Sequence, residues 1–341
     1  MSPAHLRIRR ALALALAVGT VAVAACQPNQ SAAPSGAAGS GAGACVMAPT
    51  VPDDLAGWGP PVTAPTIFPT IIALPGQLAC GQTRLLFTIL GTSSGTSSQA
   101  SNAVPIGAPD RSVKLDLFNL GRDPEKAIAS VEGTFVWAIE DVRGIYYANV
   151  EFPEAGRYGA QFTTAVGGAP PETIRLTFDV QPASPEVRVG DKAPSATTPT
   201  IASVGGDVAH VSTDGTPDPK FYEKSLDEAL AAHEPIALVF ATPKFCTSAQ
   251  CGPTLDRIKP FVARYPSVTF INVEPYMLKL VDGALQADLN ANNELQVTPI
   301  TDEYTLVEPT VVVIDRDGTV RAKLDLIFGD EELTTALHAV K

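Results

Sequence analysis

Hydrophobic and polar positions alternate in two different ways along the chain. In residues 173–180, Ile174, Leu176, Phe178 and Val180 point one way, and Thr173, Arg175, Thr177 and Asp179 the other. That period of two predicts a half-buried strand. Tyr146, Ala148, Val150 and Phe152 repeat it, as do Val113, Leu115 and Leu117, and Leu85, Phe87 and Ile89. Turn signals separate these runs at residues 91–102, 121–124, 154–156 and 167–168. Short strands, regular turns and no helical period predict an all-β sandwich over residues 67–182. Beyond a proline-rich stretch at 183–200, read as a linker, the pattern changes. Ser225 and Glu228 make a capping box ahead of Leu226, Ala229 and Leu230. Residues 235–241, 268–273 and 311–314 are short apolar runs of the kind buried on both faces of a sheet. Leu255, Ile258 and Val262 lie on one helical face behind Pro253, which suits a first turn. Residues 315–318 form a tight turn, and 320–327 return as an antiparallel strand. Asp330 is placed to cap a last helix carrying Leu333, Leu337 and Val340. Residues 201–341 therefore predict an α/β domain: a central mixed sheet with helices on both faces.

The start of the chain does not fit either pattern. Arg7, Arg9 and Arg10 precede fifteen uncharged, almost wholly apolar residues, 11–25. That run is short for a bilayer core of about 30 Å and fits a secretory signal peptide over 1–25. It ends Val23-Ala24-Ala25-Cys26, which resembles a bacterial lipobox and makes Cys26 the lipidated first residue of the mature chain. Several acyl chains on one cysteine would hold the protein at a membrane. Residues 26–66, rich in Pro, Ala, Gly and Ser, predict a flexible tether. Forty such residues span on the order of 35 Å.

Length and charge narrow the function. At 341 residues the chain is long enough for two domains. Its 24 basic against 36 acidic side chains give a net charge of -12, which argues against nucleic-acid binding through a basic surface. Removing the three signal-peptide arginines takes it to -15, so the anchor and not charge must keep it on an anionic membrane. The expected location is extracytoplasmic, in a bacterial cell envelope. With Cys26 acylated, four cysteines remain for an oxidising compartment. The economical pairing is Cys45 with Cys80, a structural staple, and Cys246 with Cys251.

Residues 186–341 resemble a thioredoxin-fold domain of the extracytoplasmic, membrane-anchored kind. Val189-Gly-Asp-Lys-Ala-Pro194 resembles the opening motif of such oxidoreductases. Ala237-Leu-Val-Phe-Ala241 resembles the strand leading to the active-site loop, and Phe245-Cys246 with Cys251-Gly252-Pro253 take the place of that loop. Tyr304-Thr-Leu-Val-Glu308-Pro309-Thr310 resembles the stretch with the cis-proline that faces the cysteines. Residues 152–158 are similar to a corner motif of small extracytoplasmic immunoglobulin-like domains.

The resemblance implies thiol–disulfide exchange through Cys246 and Cys251, with no added cofactor. Phe245, Glu308 and Pro309 would contact the substrate. Partners would be extracytoplasmic protein thiols or disulfides and a membrane electron donor. A thiolate is the attacking species, and a helix N-terminus lowers a thiol pKa. Pro253 starts the helix just after Cys251, which favours Cys251 as first attacker; an alignment anchored on Cys246 exchanges the roles. Four residues separate the cysteines instead of two, Phe245 stands in place of Trp, and Val239 replaces a buried acid. The alternative is a non-catalytic surface lipoprotein with a static disulfide in a degenerate thioredoxin fold. Peroxidase chemistry fits less well, since the cysteine after Pro243 and Thr247 comes one residue late. Copper delivery lacks a methionine cluster and a histidine near the pair, and no other metal-ligand spacing is present. Walker, G-x-S-x-G and H-E-x-x-H motifs are absent.

Overall fold

The structure is a computed structural model that describes residues 45–59, 66–74, 76–92, 103–305 and 307–341. The expected signal peptide, Cys26 and the tether up to residue 44 lie outside the described residues. The chain is β-rich and built largely from antiparallel sheets.

Among the described residues, nine strands occupy the first half. β1 (Ile67–Ile72), β2 (Gly81–Thr92), β3 (Ala103–Pro105), β6 (Thr134–Ile139) and β7 (Arg143–Phe152) form one sheet, ordered β1-β2-β7-β6 with β3 on β2. β4 (Arg111–Asn119), β5 (Ala127–Glu132), β8 (Gly156–Val166) and β9 (Glu172–Val180) form another, ordered β5-β4-β8-β9. The apolar sets of the alternating runs meet between them: Leu85, Phe87, Ile89, Leu115, Tyr146 and Phe162 share one core. The Tyr158 hydroxyl turns back to the Glu154 carbonyl at 2.9 Å, which fastens the entry into β8.

Residues 45–59, read above as tether, are packed against this half. Ala48 N–H donates to the Ala155 carbonyl at 2.8 Å, and Cys45 pairs with Cys80 at a Cα separation of 6.2 Å. Trp58 is buried against Phe118 and beneath the Arg175 guanidinium, with ring distances of 5.0 and 4.8 Å. A Cβ on Gly159 would lie 2.2 Å from the Trp58 ring, so only glycine admits it. Composition misses this because one aromatic anchors a segment otherwise poor in apolar mass.

The second half alternates helix and strand. α1 (Leu226–Ala231) is capped by Glu228, which accepts the Ser225 N–H at 3.0 Å. Then follow β10 (Ile236–Phe240), α2 (Cys251–Arg264), β11 (Thr269–Val273), and the hairpin of β12 (Leu278–Val281) and β13 (Ala284–Ala287). α3 (Pro299–Tyr304), β14 (Thr310–Ile314), β15 (Val320–Asp325) and α4 (Asp330–His338) complete it. The α4 N-cap is Gly329, so Asp330 is one residue inside the helix instead of capping it. The sheet order is β11-β10-β14-β15; β10 runs parallel to β11 and antiparallel to β14, and β14 antiparallel to β15. Leu255, Ile258 and Phe261 of α2 and Leu333 and Leu337 of α4 pack with Val239 and Val311. Leu226 of α1 and Tyr304 of α3 pack with Leu238 and Val312, from the opposite side of those strands.

The stretch 183–200 is not a free linker. Val187 N–H reaches the Glu303 carbonyl at 3.0 Å, Ala193 N–H the Gly318 carbonyl at 2.9 Å, and Glu186 pairs with buried Lys323 at 2.7 Å. Its prolines suggest an extended tract, but its backbone groups are satisfied by the α/β half. The two halves also touch directly. Arg84 of β2 donates to the Asp325 and Ile327 carbonyls at 3.1 and 2.6 Å and pairs with Glu332 of α4, both side chains being buried.

Trp58→Ala should destabilise the protein by about 3 kcal/mol, the usual cost of deleting a large buried ring. Urea midpoints at constant m-value check it; an unchanged midpoint would return residues 45–59 to the status of tether.

Candidate functional site

Two loops leave adjacent ends of the central sheet. β10 runs out through buried Ala241 and Thr242 into residues 243–250, and α2 begins at Cys251, two residues before Pro253. Ala249 holds a φ of 60°, a left-handed conformation that turns the loop into the helix. The second loop, residues 307–309, ends in a cis bond between Glu308 and Pro309 immediately before β14. The antiparallel pairing of Phe240 with Thr310 sets the loops side by side.

Cys246 and Cys251 are at disulfide distance, with Cα atoms 6.0 Å apart. Their environments differ. Cys251 is 0% exposed and belongs to the core with Val239, Ala241 and Leu255. Cys246 is half-buried, and its Sγ accepts the N–H of Cys251, the first residue of α2, at 3.3 Å. The helix N-terminus therefore serves the Cys246 sulfur. The sequence reading puts Cys251 there, since it starts the helix immediately after that residue, whereas the helix begins at Cys251 itself.

Glu308 joins the two loops. Its Oε1 accepts the Thr247 N–H at 2.9 Å and the Thr247 hydroxyl at 2.6 Å. Its carbonyl accepts the Ser248 hydroxyl at 3.0 Å, and Ser248 Oγ lies 3.4 Å from Cys246 Sγ. Tyr276, after β11, completes the group: burial, and then the Glu308 charge, push its hydroxyl up to about 12. The Pro309 carbonyl is held by Leu326 N–H at 2.7 Å. Phe245 is half-buried under Lys244, whose Nζ sits 5.4 Å from the ring centre and donates to the Leu285 carbonyl at 2.8 Å. Lys244 is thus committed to the β12–β13 hairpin.

Sequence reasoning named Cys246, Cys251, Phe245, Glu308 and Pro309, and the structure gathers them along these two loops. It missed Thr247, Ser248 and Tyr276 as partners of Glu308. Thr247 drew notice only for its spacing from Pro243, Ser248 is an ordinary loop residue in sequence, and Tyr276 carries no local signal. It also missed Glu274, at the end of β11. Glu274 Oε1 accepts the Thr213 N–H at 2.6 Å, while Oε2 is sealed from solvent with no hydrogen-bond partner among the described residues. Burial pushes this carboxyl above the usual glutamate range, against the hydrogen bonds from Thr242 and Thr213.

A carboxyl with a raised native pKa binds its proton more tightly when folded. The resulting stability is complete below the ordinary value of about 4.3 and is lost as pH rises through the native value. Glu274→Gln should therefore gain stability on the wild type as pH rises from about 4.3, by up to about 1.4 kcal/mol per pH unit. Paired urea titrations at several pH values measure the difference, and a pH-independent one would refute it.

No protein-family model matches the chain, and comparisons with curated proteins and with solved structures also yield no match.

Proposed function

We infer that the protein is a lipid-anchored, extracytoplasmic thiol–disulfide oxidoreductase. Its α/β half is read as a thioredoxin-like domain and its β half as an immunoglobulin-like sandwich. One observation carries the reading: a half-buried cysteine, Cys246, takes the first N–H of a helix on its sulfur while its partner Cys251 is fully buried. The sheet order β11-β10-β14-β15 and the position of Pro309 beside the cysteine loop support it.

This arrangement reverses the order of attack that the sequence favoured. In the reduced protein, Cys246 attacks as thiolate because an external disulfide can reach it, and the α2 N-terminus stabilises its charge by about 0.3–1 kcal/mol. The substrate S–S bond breaks, a Cys246–substrate disulfide forms, and the other substrate sulfur leaves as a thiolate. Cys251 then gives up its proton and attacks Cys246 Sγ. The 246–251 disulfide forms and the substrate departs with both sulfurs reduced. Two electrons have passed to the substrate; a thiol donor at the membrane restores the pair. The proximity of Phe245, Glu308 and Pro309 makes their surface the docking edge for the substrate chain.

Burial of Cys251 also favours a second reading, a static disulfide in a non-catalytic surface lipoprotein. The two separate on redox poise. An exchanging pair equilibrates with a glutathione buffer; a static one has a potential below about -300 mV and turns over no protein disulfide.

Cys251→Ser should accumulate a mixed disulfide through Cys246, and Cys246→Ser should trap none; mass spectrometry of non-reduced samples reads both. The reverse result would make Cys251 the first attacker, and no trapping in either would favour the static pair. Cys26→Ala should move the protein from the membrane fraction to the soluble one, and full retention would exclude the anchor.

A further inference from the structure

Ser248 sits between the sulfur and the docking edge, and it has one proton to give. Its Oγ is 3.0 Å from the Glu308 carbonyl and 3.4 Å from Cys246 Sγ. A hydroxyl donates one hydrogen bond. In the disulfide state the sulfur is a weak acceptor, so the proton belongs to the Glu308 carbonyl. A thiolate is a far stronger acceptor than a carbonyl, since charged acceptors roughly double a hydrogen bond.

Building on the exchange reading above, we propose that Ser248 is a redox-responsive positioning residue: it covers the Glu308 carbonyl while Cys246 is oxidised and uncovers it when Cys246 becomes a thiolate. Ser248 then acts as a latch, while Thr247 keeps the loop anchored to the Glu308 carboxylate. Thr247 N–H and the Glu308 carbonyl are backbone groups that an extended partner chain would pair with beside the sulfurs. In the oxidised protein both are already satisfied internally. A partner must displace those bonds, whereas a small thiol needs only the sulfur. On reduction by a dithiol, the donor loses two electrons and two protons and becomes a disulfide. The 246–251 bond breaks, Cys251 takes one proton, Cys246 remains a thiolate, and the second proton goes to water. The Ser248 hydroxyl rotates to that thiolate and the carbonyl is released. The oxidised enzyme is thereby protected from protein thiols, and the reduced enzyme exposes its docking edge to a protein disulfide.

The test compares two reductants acting on the oxidised full-length protein: dithiothreitol, which needs no docking edge, and reduced unfolded ribonuclease, a polypeptide thiol. Removing one neutral hydrogen bond corresponds to about a tenfold change. In Ser248→Ala the ribonuclease-to-dithiothreitol rate ratio should rise about tenfold, and Ser248→Thr, which keeps a hydroxyl, should restore it. In the reduced Ser248→Ala protein the pH profile of Cys246 alkylation should move to higher pH, because the thiolate loses a donor. A merely structural role would leave that profile in place. An unchanged ratio with both reductants reacting would overturn the latch and leave the exchange reading standing. Failure of ribonuclease to react with any variant, while dithiothreitol opens the pair, would overturn the exchange reading itself. A pair that neither reductant opens would overturn both.

Discussion

The antiparallel pairing of β10 with β14 decides where the chemistry can be. Phe240 opposes Thr310, so the outgoing end of one central strand lies against the incoming start of the other. Every residue of both strands is buried, which holds that register firmly, since a one-residue slip would exchange the two faces. β11 runs parallel to β10, and a parallel neighbour requires a crossover. α2 supplies it, and must therefore start at the end where β10 stops. A strand end, a helix start and a strand start converge on one edge. The cysteine loop, the first N–H of α2 and Pro309 meet there because the topology leaves them no other place.

That edge is supported from behind by the β half. Arg84 is bound to the Asp325 and Ile327 carbonyls, and between them Leu326 gives its N–H to the Pro309 carbonyl. Leu326 itself holds a φ of 60° and packs with Leu86, Val136 and Ile145 of the first sheet. Asp325 also accepts the Thr310 hydroxyl at 2.8 Å. Losing one partner of a fully buried ion pair costs about 3–5 kcal/mol, an upper bound for the largely buried Arg84–Glu332 pair. The β half is thus more than an independent module placed before the α/β half. It fixes the segment on which the proline loop rests.

How far the sequence could show this depends on the range of each interaction. The buried runs of β10 and β14, the alternation of β9 and the capping box of α1 were legible because each is set by neighbours within a few residues. The cysteine pairing was legible from counting. Residues 45–59 and 183–200 were misread because their composition is that of loops, while their order comes from distant partners: Phe118 and Arg175 for one, Glu303 and Val320 for the other. The β12–β13 hairpin was left undefined, since Leu280 and Val281 are adjacent, exposed and without alternation. The partnership of Thr247, Ser248, Tyr276 and Glu308 joins three separate stretches of chain, and no local pattern encodes it. The helix begins at Cys251 itself, one residue earlier than the sequence reading places it, and it is burial that separates the two cysteines.

That exchange of roles follows from two effects of unequal size. The helix N-terminus offers either sulfur on the order of 1 kcal/mol, because the dipole decays within one turn. Access is not a matter of degree: a sulfur with no exposed surface cannot be reached by a protein disulfide without opening the core around Val239 and Leu255. On the exchange reading, access therefore outweighs dipole and selects Cys246, even though Pro253 marks the other cysteine in sequence. The longer loop then acquires a purpose that a two-residue spacing would not allow. It leaves Cys246 only half-buried at the margin of the core, and close enough to accept the N–H of Cys251. The same residues lay Thr247 and Ser248 against Glu308. The carboxylate opposite the sulfurs is bound twice by Thr247, which turns part of its charge away from Cys246. A group that would otherwise disfavour the thiolate becomes the anchor of the loop that presents it.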